Sequence, residues 1–198
     1  MDALTRLVES LRCLPGVGPK SAQRMVHHLL LKQRERGLQL AASLEVAMRV
    51  VRQCERCNYF TEKPYCMYCE DMHRDKNLLC VVETPADVVA IEQSGVYHGR
   101  YFVLMGLVSP LDGVGPEDIY LSKLQQLVIQ EDPTEVIIAL TGSVEGQATT
   151  HFIQDILAAH PVKLSRLAHG IPLCGELEFL DGLTIGTALR HRRLVASE

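Results

Sequence analysis

Two Cys-x-x-Cys pairs, Cys54-Glu-Arg-Cys57 and Cys66-Met-Tyr-Cys69, stand eight residues apart. Each pair spans a short tight turn, so four thiolates can converge on one ion. Four sulfurs with no open position describe a closed tetrahedral site, with structural zinc as the first reading. A thioredoxin-like redox pair needs only one such motif, placed after a strand at a helix start. Iron-sulfur ligation uses the same four sulfurs, so the motif alone leaves zinc and iron both open. The neighbours Gln53, Glu55, Arg56, Asn58 and Lys63 are polar, which argues against four thiols buried merely as small hydrophobes.

The chain on either side of this knuckle differs in character. Residues 1–76 carry 13 basic and 9 acidic side chains, whereas residues 77–198 carry 7 and 15, so the net charges are +4 and −8. Any polyanion contact is therefore expected in the N-terminal part. The three remaining cysteines, Cys13, Cys80 and Cys174, lie among apolar neighbours or beside helix signals. They read as buried free thiols of a reducing compartment rather than as disulfides or nucleophiles. No basic flank leads into a long apolar run and no uncharged stretch approaches a membrane span, so no membrane association and a cytoplasmic location are expected.

Leu4, Leu7, Val8 and Leu11 recur at helical spacing and predict a helix over residues 2–12. In Leu14-Pro15-Gly16-Val17-Gly18-Pro19-Lys20, the glycines permit a tight turn and Pro19 suits the first turn of a second helix, which runs on through Leu30. The result is a helix-hairpin-helix. Backbone N–H groups at Gly16, Gly18 and the start of the second helix can hold a phosphate oxygen, and Lys20 and Arg24, four apart, share one helix face. Such contacts read no base, so binding should be insensitive to sequence. His27 and His28 are too close in sequence to form a one-faced metal pair. Lys32–Gly37 reads as a charged helix end and link, and residues 39–52 as a third helix. So few short helices bury little surface alone, and this part should lean on the metal site, on the second domain or on another subunit.

After residue 77 the pattern becomes strand and helix in alternation: strands at 78–82, 101–104, 135–140 and 162–166, helices at 85–92, 119–130 and 145–159. This predicts a parallel α/β sheet with helices on both faces, with 162–166 at a sheet edge and the site loops at the carboxyl ends of the strands. No strand is followed by Gly-x-Gly-x-x-Gly and no phosphate-binding Gly-x-x-x-x-Gly-Lys-[Ser/Thr] loop is present. Asp112, Glu117 and Asp118, flanked by Gly and Pro, read as solvated turn residues. A last helix is expected at 183–193, where the basic His191-Arg192-Arg193 suits a helix C-terminus.

The order of hairpin, four-cysteine knuckle, Val-Val-Glu-x-Pro and Val-Glu-Gly loop resembles the RecR family of bacterial recombination mediators. The resemblance spans nearly the whole chain and is carried by Leu14–Arg24, Cys54–Cys69, Leu79–Asp87, Leu107–Asp118 and Arg166–Glu178. It implies a DNA repair protein that works with RecO, and in some contexts RecF, to load recombinase onto single-stranded DNA. It implies homodimers that can close into ring-shaped homotetramers, with Lys20 and Arg24 facing the DNA and Cys54, Cys57, Cys66 and Cys69 holding zinc. A nucleoid-associated cytoplasmic location goes with that role.

The second domain looks like a Toprim domain. Catalytic versions keep a glutamate after the first strand, then Asp-x-Asp and Arg-Glu-Gly-Glu after the third. Here Glu83 and Glu145 match the glutamates, but Thr141 and Ser143 occupy the aspartate positions and Gln147 replaces the last glutamate. Two glutamates among neutral residues should hold Mg2+ poorly. We therefore expect no catalysis and no Mg2+ requirement, with Glu83 and Glu145 structural or partner-facing. The expected architecture is α+β and multidomain: a helical hairpin region (1–53), a zinc knuckle and link (54–76), a Toprim-like α/β domain (77–172) and a C-terminal helical assembly segment (173–198). The alternatives are a Mg2+-dependent Toprim enzyme acting on the DNA backbone and a purely structural zinc protein.

Overall fold

Asp2 starts the first helix: its carboxylate accepts from Thr5 N at 2.8 Å and caps α1 (Ala3–Leu11). The turn that follows closes with Val17 N donating to Leu14 O at 3.1 Å, and Gly16 sits at φ +77°. Pro19 then opens α2 (Pro19–Lys32). The third helix, α3 (Arg34–Val50), begins five residues earlier than the sequence predicts, so the charged link is helix. Arg34, Glu35 and Arg36 are good helix formers but all exposed, so they carry no apolar period. A single break at Gln33 (φ −143°, ψ 45°) makes the turn. The computed structural model describes residues 1–168 and 179–190, and the chain divides into two compact units, Met1–Arg52 and Gln53–Glu198.

The first unit has a thin core. Ala22 and Val26 of α2 are fully buried, while α3 buries none of its 17 residues. Leu31, Leu38 and Met48 are 82%, 69% and 77% exposed, which is far more apolar surface than three helices hide by themselves.

The second unit opens with a finger. A ribbon of β1 (Arg52–Gln53) and β2 (Phe60–Thr61) is followed by a single helical turn, α4 (Met67–Glu70). Then come β3 (Asp75–Val82), α5 (Pro85–Gln93), β4 (Gly99–Val103), α6 (Leu121–Glu131), β5 (Glu135–Ala139), α7 (Val144–Leu157), β6 (Lys163–Arg166) and α8 (Gly182–Arg190). The four long strands form one parallel sheet in the order β4-β3-β5-β6, with β6 at an edge as expected. β3 starts three residues before the apolar run. Its polar beginning pairs Asp75 with Gly99, and the register shifts before Leu79 meets Arg100. The expected end of the last helix, His191–Arg193, and Cys174 lie outside the described residues.

Alternation along the strands fills two cores. Leu79, Val81, Phe102, Val136 and Ile138 face Leu124, Leu127 and Val128 of α6 and Ile153 and Leu157 of α7. Cys80, Val82, Tyr101 and Val103 face the other way, onto Val88 and Ile91 of α5 and Tyr59 and Tyr68 of the finger. Burial on both faces explains why the strands read as continuous apolar runs. Tyr59, Tyr68 and Tyr101 pack edge to face at centroid distances of 5.1 and 5.6 Å. Arg74 lies over the Tyr68 and Tyr101 rings and donates to Glu92 Oε2 at 2.5 Å, and Tyr101 donates to Glu92 Oε1. Burial opposes the charge on Glu92, but these two donors prevail and hold its carboxyl below the usual range.

Candidate functional site

The four cysteines converge as their spacing predicts, with all four Sγ atoms within 4.8 Å of one another. A tetrahedral ion with bonds of about 2.3 Å sets its sulfurs about 3.8 Å apart. Cys54 Sγ lies 3.8 Å from Cys69 Sγ, and Cys57 Sγ lies 3.4 Å from Cys66 Sγ, so the set fits such an ion. Cys54 Sγ also accepts from Cys66 N at 3.4 Å, a contact that favours a thiolate. Hydrogen bonding among the sulfurs favours the thiolate at Cys54, with Cys57 the main donor, and the thiol at Cys57 and Cys69. A bound ion would replace the thiol protons. Cys80, outside this cluster, is buried and pushed up to about 12, as suits an inert core thiol, whereas Cys13, expected to be buried, is exposed in the turn after α1.

The finger is built into the sheet. Val103, at the end of the edge strand β4, donates to Cys57 O at 2.8 Å and accepts from Asn58 Nδ2 at 2.8 Å. Asn58 is fully buried at φ +65°, a conformation that asparagine tolerates better than most residues. From α6, Lys123 Nζ donates to Asn58 Oδ1 at 2.6 Å and to Cys54 O at 3.4 Å. Burial lowers its pKa while the cysteine sulfurs oppose that shift. Sequence reading missed Lys123, and only the polar residue straight after Cys57, where a knuckle turn needs positive φ, signalled Asn58.

In the hairpin, Lys20 and Arg24 are both exposed on α2. The N-cap Gly18 has no side chain to offer the first turn, so the N–H groups that follow Pro19 have no side-chain cap. Only Gly16 uses positive φ; Gly18 is extended at φ −80°, ψ 172°. Arg24 also borders an apolar recess of about 450 Å³, with Leu11, Leu14, Met25, His28, Leu29 and Leu40.

Glu83 and Glu145 follow the adjacent parallel strands β3 and β5, which places both at the carboxyl end of the sheet, at its topological switch point. Burial and the nearby Asp87 carboxylate push Glu83 up. Asp87 itself caps α5, accepting from Thr84 N at 2.7 Å and Thr84 Oγ1 at 2.9 Å. The residues in the aspartate positions have local duties too: Ser143 caps α7 by accepting from Gly146 N, and it bonds Thr141 Oγ1 at 3.0 Å. Gln147 Nε2 donates to Gly142 O at 3.0 Å. Gly146 is needed for closeness, since a Cβ there would fall 2.1 Å from Thr141 O. Gly146→Ala is expected to destabilise the second unit by about 1–3 kcal/mol, measured by urea unfolding, because backbone cannot yield as a side chain can.

The carboxylates of the long loop read as turn residues in the structure as in the sequence. Asp112 accepts from Ser109 Oγ at 2.6 Å and Asp118 from Gly115 N at 2.8 Å. Among the described residues, no helix is long and apolar enough to cross a membrane.

Comparison with known families assigns each part of this geometry. Family models match four successive stretches: RecR helix-hairpin-helix over residues 4–48, RecR four-cysteine zinc finger over 51–71, Toprim domain over 77–168 and RecR C-terminal over 170–193. The chain is 61% identical over 195 residues to recombination protein RecR of Legionella pneumophila strains Corby and Lens, covering 98% of this chain and 99% of each relative. The RecR of strain Philadelphia 1 is 60% identical, with 98% of both chains covered.

Proposed function

The chain belongs to the RecR family of recombination proteins, and from that premise we propose that it is a non-catalytic DNA adaptor that helps RecO-like and RecF-like partners load recombinase onto single-stranded DNA. The observation that carries this reading is the uncapped N-terminus of α2 behind Gly18, beside exposed Lys20 and Arg24, within a matched helix-hairpin-helix. That arrangement grips phosphates without reading bases. Cys54, Cys57, Cys66 and Cys69 hold zinc in a structural role, supported by the fit of their sulfurs to a tetrahedral ion and by the matched four-cysteine zinc finger.

One hairpin neutralises few phosphates, so useful affinity needs several hairpins at once. The apolar surface left open on the first unit, including a 17-residue helix with no buried side chain, supports a homodimer or homotetramer. In the Toprim-like sheet, Thr141 and Ser143 are spent on capping and on each other, which supports a domain used for assembly and partner docking. Glu83 and Glu145 then serve packing or a partner, and Mg2+ is not required.

The test is recombinase loading onto single-stranded DNA precoated with its binding protein, with a RecO-like partner added, alongside a nicking assay in Mg2+. The expected result is faster loading with intact DNA. Strand cleavage that disappears in E83Q and E145Q would overturn the non-catalytic reading.

A further inference from the structure

A zinc ion at the knuckle leaves a charge unaccounted for. One Zn2+ with four thiolates carries a net charge of −2, and a centre packed against a protein core needs nearby positive charge. Arg56, in the first Cys-x-x-Cys turn, pairs with Glu131, and Arg100 approaches the same carboxylate at 3.2 Å. Glu131 thus lies between two cations at the far end of α6. Lys123 is placed differently: both of its acceptors are neutral, Asn58 Oδ1 and Cys54 O. They hold the ammonium beside the knuckle without cancelling its charge, and the Glu55 carboxylate of the first Cys-x-x-Cys turn lines the same recess as Lys123.

We propose that Lys123 is a positioning residue of the metal centre: its ammonium, held on Asn58 Oδ1 and Cys54 O, supplies the counter-charge of the tetrathiolate from helix α6. This rests on the reading of the four cysteines as a zinc site. The same two acceptors make Lys123 a latch. Asn58 Nδ2 donates to Val103 O while its Oδ1 accepts from Lys123, so one buried amide joins α6, the knuckle and the edge strand β4. Leu121, Leu124, Leu127 and Val128 anchor the same helix in the core of the sheet. Metal retention is thereby tied to the packing of a helix that provides no ligand.

The test uses the full-length protein and three variants chosen to separate charge from hydrogen bonding. K123R keeps the charge, K123Q keeps a donor without the charge, and K123M keeps only the stem. Zinc content is measured first, then the rate of zinc transfer to a chromogenic chelator. The cobalt-substituted proteins are compared by their thiolate-to-metal charge-transfer band, and hydrogen exchange is followed through residues 99–104.

K123Q and K123M are expected to lose zinc about ten- to a hundredfold faster, the usual range for partners behind the ligands. Their charge-transfer bands should shift and exchange near Val103 should speed up, while K123R stays near wild type. Equal zinc release by wild type, K123Q and K123M overturns the proposal with the zinc reading intact. Release from K123R as fast as from K123M also overturns it. Wild type that purifies without zinc and fails to take it up sinks the zinc reading itself, a result distinguishable from both.

Discussion

Stripping the metal, or replacing Cys57 with Ser, is expected to loosen the Toprim-like sheet as well as the finger. A free-standing zinc module would unfold alone and leave its neighbour intact. Here the knuckle turn supplies both partners of Val103, whose N–H and C=O end the edge strand β4 with no other strand beside them among the described residues. A buried polar group left unsatisfied costs about 1–3 kcal/mol, so the two groups at Val103 set an upper range of about 2–6 kcal/mol. Tyr59 and Tyr68 also leave the second core, and Tyr68 is one of the two rings under Arg74. Apparent binding energies of structural zinc are about 10–16 kcal/mol, enough to outweigh the whole stability of a typical domain. We expect metal-free protein to lose hydrogen-exchange protection across residues 99–104 together with the finger, and to melt at lower temperature. Metal analysis and the visible spectrum of the purified protein decide between zinc, which is colourless, and an iron-sulfur centre, which is not. Full protection of Val103 in metal-free protein would mean that side-chain packing alone holds the finger.

Patterns confined to a few residues were legible in the sequence, and relations across long separations were not. The four cysteines, the Pro-Gly-Val-Gly turn and the apolar runs of the strands each state their geometry locally, and each forms as expected. The start of α3 was hidden because Arg34–Arg36 face solvent all round, so propensity acts there without periodicity. Asp75–Asn77 extend β3 for a similar reason: polar residues before an apolar run join a strand only because Gly99 is there to pair with Asp75. Lys123 and Asn58 lie 65 residues apart, and nothing in either neighbourhood announces the other. Thr141 and Ser143 read as gaps in an acidic motif when set against catalytic relatives. In the structure, Ser143 follows the ordinary rule that a serine before a helix caps it.

Reversing the two hairpin charges, K20E with R24E, is expected to weaken DNA binding at least tenfold at low salt and to flatten its salt dependence. Each Lys or Arg on a phosphate releases counterions, and the slope of log affinity against log salt shrinks by about one for each phosphate no longer neutralised. Two such cations per subunit, repeated in every subunit that touches DNA, make the effect larger for the assembled protein than for one chain. If both side chains bind phosphates, the weakening should be the same for any base sequence. Arg24 complicates the double variant because it borders the apolar recess with Leu11, Leu14 and Leu40, so R24E can disturb packing as well as charge. Lys20 lies outside that recess and isolates the electrostatic part. The decisive comparison is therefore K20E alone against the double variant, with oligomer mass and zinc content measured on the same samples. A reduced slope in K20E at unchanged mass places phosphates on the hairpin. If only the double variant loses affinity, and loses mass with it, the hairpin is an assembly element and DNA is held elsewhere.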